Sequence, residues 1–263
     1  MRYEVLGPLR VTAGATVLTV NAPKVATLLT ALVVRANTVV SKEALITELW
    51  DGSPPRRASA GLHVYVSQLR KLLARAAPGP SPIVTEHPGY LLAVDPADTD
   101  WGELEQLTRL ARAARAAGDL EESSRALARA VALWRGPLPD PRRHGPLIGV
   151  FAAWARTRRL QCLEDHVEVG LALDRHRSLI GLLSALVAEH PLHEAFHAQL
   201  MRALYASERR AEALWAYRRA GATLRRELGL GPGRQLREVH RAIVAGEPVP
   251  GPHPYEVGAD ARP

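Results

Sequence analysis

The spacing of apolar positions along the chain changes twice. In the first 20 residues they alternate: Tyr3 and Val5, Leu9 and Val11, then Val17, Leu18 and Val20, broken by Gly7-Pro8 and Ala13-Gly14. Alternation interrupted by turn formers predicts short strands joined by tight turns. From Pro23 the spacing becomes helical, with Val25, Leu28, Leu29, Leu32 and Val33 in step and a proline suited to the first turn. Asn37 stands where this helix should stop. Ser41 is a good N-cap for a second helix carrying Leu45, Ile46, Leu49 and Trp50, and Asp51 to Pro55 ends it. A third helix is expected from about Ala58 to Arg75. At about 100° per residue, Leu62, Tyr65, Val66, Leu69, Leu72 and Leu73 gather on one face. Ala60, His63, Val64, Ser67 and Lys71 face away, with Gln68 and Arg70 on the flanks. After the loop Pro78 to Pro82, Ile83-Val84-Thr85 and Tyr90 to Val94 flank Glu86-His87-Pro88-Gly89, which reads as a β-hairpin.

Strands, three helices and a closing hairpin are the order of a winged helix-turn-helix, with the hairpin as the wing. Asp95 to Asp98 reads as a boundary. Beyond it every segment has a helical period, with helices expected at about 100–117, 119–134, 147–173, 176–189, 192–206, 209–228 and 232–245. Helix pairs with short turns suggest an α-solenoid. Ala213, Tyr217 and Ala220 have tetratricopeptide-like spacing, and the turn positions Asp174 and Ser207 lie near one such repeat apart. The repeat is degenerate elsewhere. Residues 248–263, with Pro248, Pro250, Pro252 and Pro254, are expected to be a disordered tail. The division expected is therefore 1–95, 96–247 and 248–263, in a mostly α chain.

Composition alters this picture little. Apolar residues are 47% and charged residues 23% of 263, ordinary for a globular protein. Lysine occurs only at 24, 42 and 71 among 34 basic residues, a bias that a GC-rich genome produces. The net charge of +7 permits a polyanionic partner but does not locate it. Residues 1–95 hold ten basic and six acidic residues, residues 96–247 hold 23 and 19, so each contributes +4, and the tail contributes −1. Cys162 is the single cysteine, which excludes a disulfide framework and reads as a core thiol. The N-terminus lacks the apolar run of a signal peptide, and no stretch of about 18 apolar residues occurs, so a cytoplasmic protein with no membrane partner is expected.

Specific stretches then carry a resemblance. They are Leu6-Gly7-Pro8-Leu9, Pro23-Lys24 leading into Leu28-Leu29, Glu43 to Trp50, Val64 to Leu73, and Pro88-Gly89-Tyr90-Leu91-Leu92. They continue as Leu133-Trp134-Arg135-Gly136-Pro137-Leu138, Val187 to Leu192, Gln199 to Tyr205, Ala213 to Arg218, and Glu227 to Gly233. In this order they resemble the Streptomyces antibiotic regulatory protein family, over roughly residues 1–247. The resemblance implies an OmpR-like winged helix followed by an all-α, tetratricopeptide-like bacterial transcriptional activation domain. It implies binding of double-stranded DNA at promoter direct repeats, as a homodimer on DNA, and recruitment of RNA polymerase. Larger relatives append an ATPase module; no GxxxxGK[ST] stands here, so no nucleotide or other cofactor is expected.

Matched to the OmpR-like pattern, the third helix is the recognition helix. His63, Val64, Ser67 and Gln68 are then the candidates for base edges in the major groove, Val64 toward a thymine methyl and Gln68 toward adenine. Arg70 and Lys71 are expected on phosphate, which positions without reading sequence. Arg56 and Arg57, just before that helix, are also expected on phosphate, although in OmpR-like proteins this loop can touch polymerase. In the wing, Glu86 stands where relatives often carry arginine; Thr85 or His87 can substitute as the DNA contact, and either the wing contacts DNA weakly or its tip faces a partner.

Other candidates read as structural. His190, His193 and His197 lack a third metal ligand in a recognisable pattern, and Trp101, Trp134, Trp154, Trp215 and Tyr217 are expected in the core. No Ser/His/Asp or Cys/His arrangement suggests an enzyme. Two alternatives use the same DNA-binding domain: a helical scaffold that chiefly binds a partner or effector, and a repressor. Only the resemblance favours activation.

Overall fold

In the computed structural model, which describes residues 1–140 and 144–249, the alternating N-terminal segment forms three short antiparallel strands. They are β1 (Arg2–Glu4), β2 (Arg10–Ala13) and β3 (Thr16–Leu18), in register Tyr3 with Val11 and Val11 with Leu18. Tyr3 and Val11 are buried, as alternation requires of the inward face. The helical spacing that follows gives α1 (Pro23–Val34), with Pro23 in its first turn. Asn37 takes a left-handed conformation beyond it, and its amide side chain hydrogen-bonds both N–H and C=O of Val94. A short strand β4 (Val40–Ser41) leads into α2 (Lys42–Trp50), where Ser41 Oγ accepts the Ala44 N–H at 3.1 Å. Then come α3 (Ala58–Ala76) and the hairpin β5 (Ile83–Glu86) and β6 (Gly89–Leu92). β6 sits between β4 and β5. A Cβ on Gly89 would collide with the Val40 carbonyl oxygen, so the β4–β6 pairing demands glycine there. α1 packs on α2 and α3, burying Leu28, Leu29, Leu32, Leu45, Leu62 and Leu69.

After a 3₁₀ turn (Pro96–Asp98) the elements among the described residues are helices: α4 (Asp100–Ala116), α5 (Leu120–Ala132), α6 (Pro146–Ala172), α7 (His176–Glu189), α8 (Glu194–Ala206), α9 (Arg210–Leu228) and α10 (Arg234–Ala245). All seven helices expected from periodicity form. Among the described residues no helix is long and apolar enough to cross a membrane. From residue 250 on, the expected tail lies outside the described residues.

Packing groups these elements into two compact units. Among the described residues one takes in 1–110, 128–140 and 144–160, the other 111–127 and 161–249. The first unit extends past residue 95, and buried polar contacts lie within it. Asp100 is 1% exposed, and its Oδ2 accepts the N–H groups of Val5 and Leu6, both at 2.7 Å. Trp101 Nε1 donates to the Val33 carbonyl at 3.1 Å. Glu48, buried in α2, accepts the Leu147 N–H at 2.7 Å and so caps the start of α6. A Cβ on Gly145 would meet the Glu48 Cα at 2.6 Å, which shows how closely the two backbones approach. Arg135 joins through its backbone N–H to Leu6 O at 3.0 Å and through Nη2 to Pro8 O at 2.9 Å.

The second unit shows its repeat in the backbone. The turns after α4, α6 and α8 place left-handed residues at Gly118, Asp174 and Glu208. Each turn closes with the same two bonds. The left-handed residue donates three residues back, and the next donates five back: Gly118 to Arg115 and Asp119 to Ala114, Asp174 to Leu171 and Arg175 to Gly170, Glu208 to Tyr205 and Arg209 to Leu204. These are the helix-terminating bonds of a Schellman motif. Asp174 and Glu208 are 34 positions apart, one tetratricopeptide length, although no glycine marks either site. Ala111, Ala126, Leu127 and Val169 form one core cluster, and Arg202 holds Glu168 through two bonds of 2.6 and 3.0 Å.

Burial pushes the Asp100 carboxyl up to about 6, against the pull of the Leu6 and Val5 amides and Arg135. Between pH ~4 and ~6 the folded chain keeps a proton that the unfolded chain has released, so this group stabilises most at acid pH and its contribution falls as pH rises through 6. Asp100→Asn removes that slope. Urea unfolding of both proteins should show the variant gaining on the parent by on the order of 2 kcal/mol between pH ~4 and ~7.5; a gap that does not change with pH would refute the assignment.

Candidate nucleic-acid interface

The 19-residue helix α3 offers one face to the core and one to solvent. Leu62, Val66, Leu69 and Leu73 are buried, while His63, Val64, Ser67, Gln68 and Lys71 are exposed. Tyr65 and Leu72, expected on the buried face, are only half-buried. Tyr65 lies at the edge of the core, its ring 6.1 Å from that of Trp50. Val64 is 52% exposed, an apolar group turned toward solvent.

Arg70, expected on phosphate, is engaged within the domain. Its Nε and Nη2 donate to the Ile83 carbonyl at 3.1 and 2.9 Å, and Nη2 also donates to Thr85 Oγ1 at 2.8 Å. The guanidinium also sits 5.9 Å from the centre of the Tyr90 ring. The physical reason is position: Arg70 is half-buried on the flank that meets the first wing strand, where a carbonyl and a hydroxyl are within reach. Arg70 therefore fixes the wing against α3, and Thr85, itself a DNA candidate, is held by it. His63 adds an edge-on contact to Tyr90, with ring centroids 6.5 Å apart. Glu86 and His87 are exposed at the tip of the wing.

Arg56 and Arg57 are exposed at the start of α3, and Arg57 is its N-cap residue. No side chain caps that end. Two cations beside an uncapped helix N-terminus favour an anion such as phosphate.

One residue escaped the sequence reading. Arg75 is exposed and lines a hollow of about 480 Å³ with Leu18, Thr19, Gln68 and Lys71. Positions 68, 71 and 75 form one ridge at helical spacing, so the wheel that placed Gln68 and Lys71 also places Arg75. A second signal was available in the charge pattern. Residues 52–85 contain Arg56, Arg57, Arg70, Lys71 and Arg75 and no aspartate or glutamate. Counting charge by half-chain averages this run away.

The histidines and tryptophans are placed differently from one another. His193 Nε2 lies 2.6 Å from Glu164 Oε1, and His197 Nε2 lies 2.9 Å from the Pro191 carbonyl. His190 packs its ring near Phe196. Among the described residues no group of three or more metal-ligating side chains occurs. Trp101 is buried, but Trp215, expected in the core, is 57% exposed. Its place in α9 looks apolar in sequence because Leu214 and Ala216 flank it, while the helix turns its indole outward.

Comparison with known proteins agrees with this geometry. A family model described as "Transcriptional regulatory protein, C terminal" matches residues 19–92, and one described as "Bacterial transcriptional activator domain" matches residues 99–244. The regulatory protein DnrI of Streptomyces peucetius is 37% identical over 254 residues, covering 94% of this chain and 93% of DnrI. The transcriptional regulatory protein EmbR of Mycobacterium tuberculosis is 36% identical over 248 residues, and this chain spans 64% of its length. The solved structure of M. tuberculosis EmbR in complex with a low-affinity phosphopeptide superposes with a TM-score of 0.90, covering 95% of this chain and 66% of that one. The regulatory protein AfsR of Streptomyces coelicolor is 34% identical, with 25% of its length covered. An OmpR-like winged helix joined to a bacterial transcriptional activator domain, in a chain this similar to DnrI, is the arrangement of one family: the chain belongs to the Streptomyces antibiotic regulatory proteins, a family of transcriptional regulators.

Proposed function

We propose that this chain activates a secondary-metabolite, antibiotic-type gene cluster by binding direct repeats in its promoters and recruiting RNA polymerase. The observation that carries the DNA-binding part is the outward face of α3, exposed from His63 to Arg75 within a 34-residue run (52–85) free of acidic side chains. A helix of that size fits the major groove, which displays a distinct pattern for each base pair. In this reading residues 1–95 bind DNA and residues 96–247 carry activation. Two copies lie head to tail on repeats about one helical turn apart, on the nucleoid.

The side chains divide their work. His63, Val64, Ser67 and Gln68 read base edges. Lys71, Arg75, Arg56 and Arg57 hold phosphate. Arg70 sets the angle between α3 and the wing. Glu86 opposes phosphate, so the wing contributes through His87, with Thr85 held behind it.

The primary test is binding of purified protein to tandem repeats upstream of its neighbouring operons against random DNA at about 150 mM salt, where specific and non-specific affinity separate. A preference of about a thousandfold is expected; no preference overturns the reading. Reporter output from such a promoter should rise on expression of the protein, and a fall would make it a repressor. Lys71→Ala should weaken binding to all sequences alike and lower the salt slope by about 1. Gln68→Ala should instead relax preference at one base pair, at a cost of about 1–3 kcal/mol on the preferred site. Equal effects of the two on random DNA contradict the division. Arg70→Lys keeps the charge but loses the planar fork. It should speed hydrogen exchange of the β5 and β6 amides and cost about 1–2 kcal/mol of stability; unchanged exchange would return Arg70 to a phosphate role.

A further inference from the structure

The second compact unit carries a groove of about 680 Å³ that the DNA-binding reading does not use. Its floor is the buried side of α8, with His197, Leu200 and Leu204. α7 forms one wall and α9 the other. The lining positions on α9 include 209, 212, 216, 219, 223 and 226, steps of three and four that draw one stripe along the helix. At 1.5 Å per residue this stripe is roughly 25 Å long. A volume of this size spread over that length is a trough for a single extended strand of roughly seven residues at ~3.3 Å each, rather than a socket for a compact molecule. Small side chains at Ser184, Ala188 and Ala222 leave room for a backbone to approach.

The chemistry of the lining is uneven. It holds three arginines, Arg209, Arg219 and Arg226, against one carboxylate, Glu212. Arg209 is neutralised by Glu212 through two 2.7 Å bonds, and Arg226 bonds Glu227 at 2.8 Å. Among the described residues Arg219 makes no ion pair; it lies 4.7 Å from the ring centre of the exposed Trp215. His197 has its Nε2 against a carbonyl, so that nitrogen carries the proton and Nδ1 is left as an acceptor. That Nδ1 is buried and has no partner among the described residues. Burial also holds this imidazole below its usual range, neutral beside the positive field of Arg219. The trough thus presents apolar surface and an unpaired cation, with a neutral imidazole beneath its floor.

We infer that the α7–α8–α9 groove is a docking site for an extended acidic peptide segment of a partner protein, one whose carboxylate meets Arg219 and whose apolar side chains cover Trp215, Leu200 and Leu204. The inference stands apart from the DNA-binding proposal, since it uses none of the same residues.

The test uses the whole chain and a fluorescein-labelled octapeptide of alternating glutamate and leucine, with lysine–leucine and serine–leucine versions as controls. Anisotropy should show the acidic peptide binding at least about tenfold tighter than either control, with affinity falling as salt is added. Arg219→Glu and Ala222→Trp, both on exposed positions, should each weaken it by about tenfold or more, a loss typical of a central contact, with melting temperature and promoter-DNA binding as in the parent. Equal binding of the three peptides overturns the inference, as does unchanged affinity in both variants. A loss of DNA affinity in Arg219→Glu without a loss of peptide binding would make the groove a nucleic-acid surface. A shift from dimer to monomer in sedimentation, again without a peptide effect, would make it a contact between copies of this chain. Either result refutes the peptide assignment while leaving the promoter-binding test to stand or fall by itself.

Discussion

Asp100 sits almost fully buried with two backbone N–H groups, Val5 and Leu6, on one carboxylate oxygen. Those amides follow the end of β1, where strand pairing no longer satisfies them, and buried donors left unpaired are costly. A carboxylate takes both at once and makes stronger bonds than a neutral acceptor. Its own desolvation is the opposing cost, seen in the raised proton affinity of the group. The first unit depends on this contact because it anchors the start of α4 to the N-terminal sheet. Tyr3 bridges to Thr99 beside it, and Trp101 reaches Val33 at the end of α1. Glu48 does for α6 what Asp100 does for the sheet. The frame that holds α3 is accordingly larger than a winged helix alone.

On that frame α3 is presented by Arg70 and the wing. An arginine on the flank of such a helix invites assignment to phosphate, and here its Nε and Nη2 donate to Ile83 and Thr85. The remaining cations, Arg56, Arg57, Lys71 and Arg75, are exposed.

Much of this was legible in residues alone. Helical spacing located the helices from α1 to α10, because burial of one face imposes a 3.6-residue period. Ser41 announced its cap, and the turn around Gly89 its hairpin. The exposed face of α3 followed from the wheel, including Gln68 and Lys71; Arg75 lay on the same ridge. Trp215 was misplaced, and the partners of Arg70 went unread, for the same physical reason. Spacing gives the face a residue occupies but not which neighbour comes near that face, and the neighbour decides whether an indole is covered or a guanidinium is engaged.

The sequence by itself determined the elements, their order, the two kinds of domain and the polar face available to DNA, since these arise from local periodicity, turn chemistry and capping. Only the tertiary structure decided which distant motifs are one contact. Leu6 to Pro8 and Arg135 are hydrogen-bonded across more than 120 positions, and Glu48 caps a helix that begins almost a hundred residues later. Such pairings leave no period in the chain, because each is made by one or two side chains meeting once. They tie segments far apart in the chain into the first compact unit.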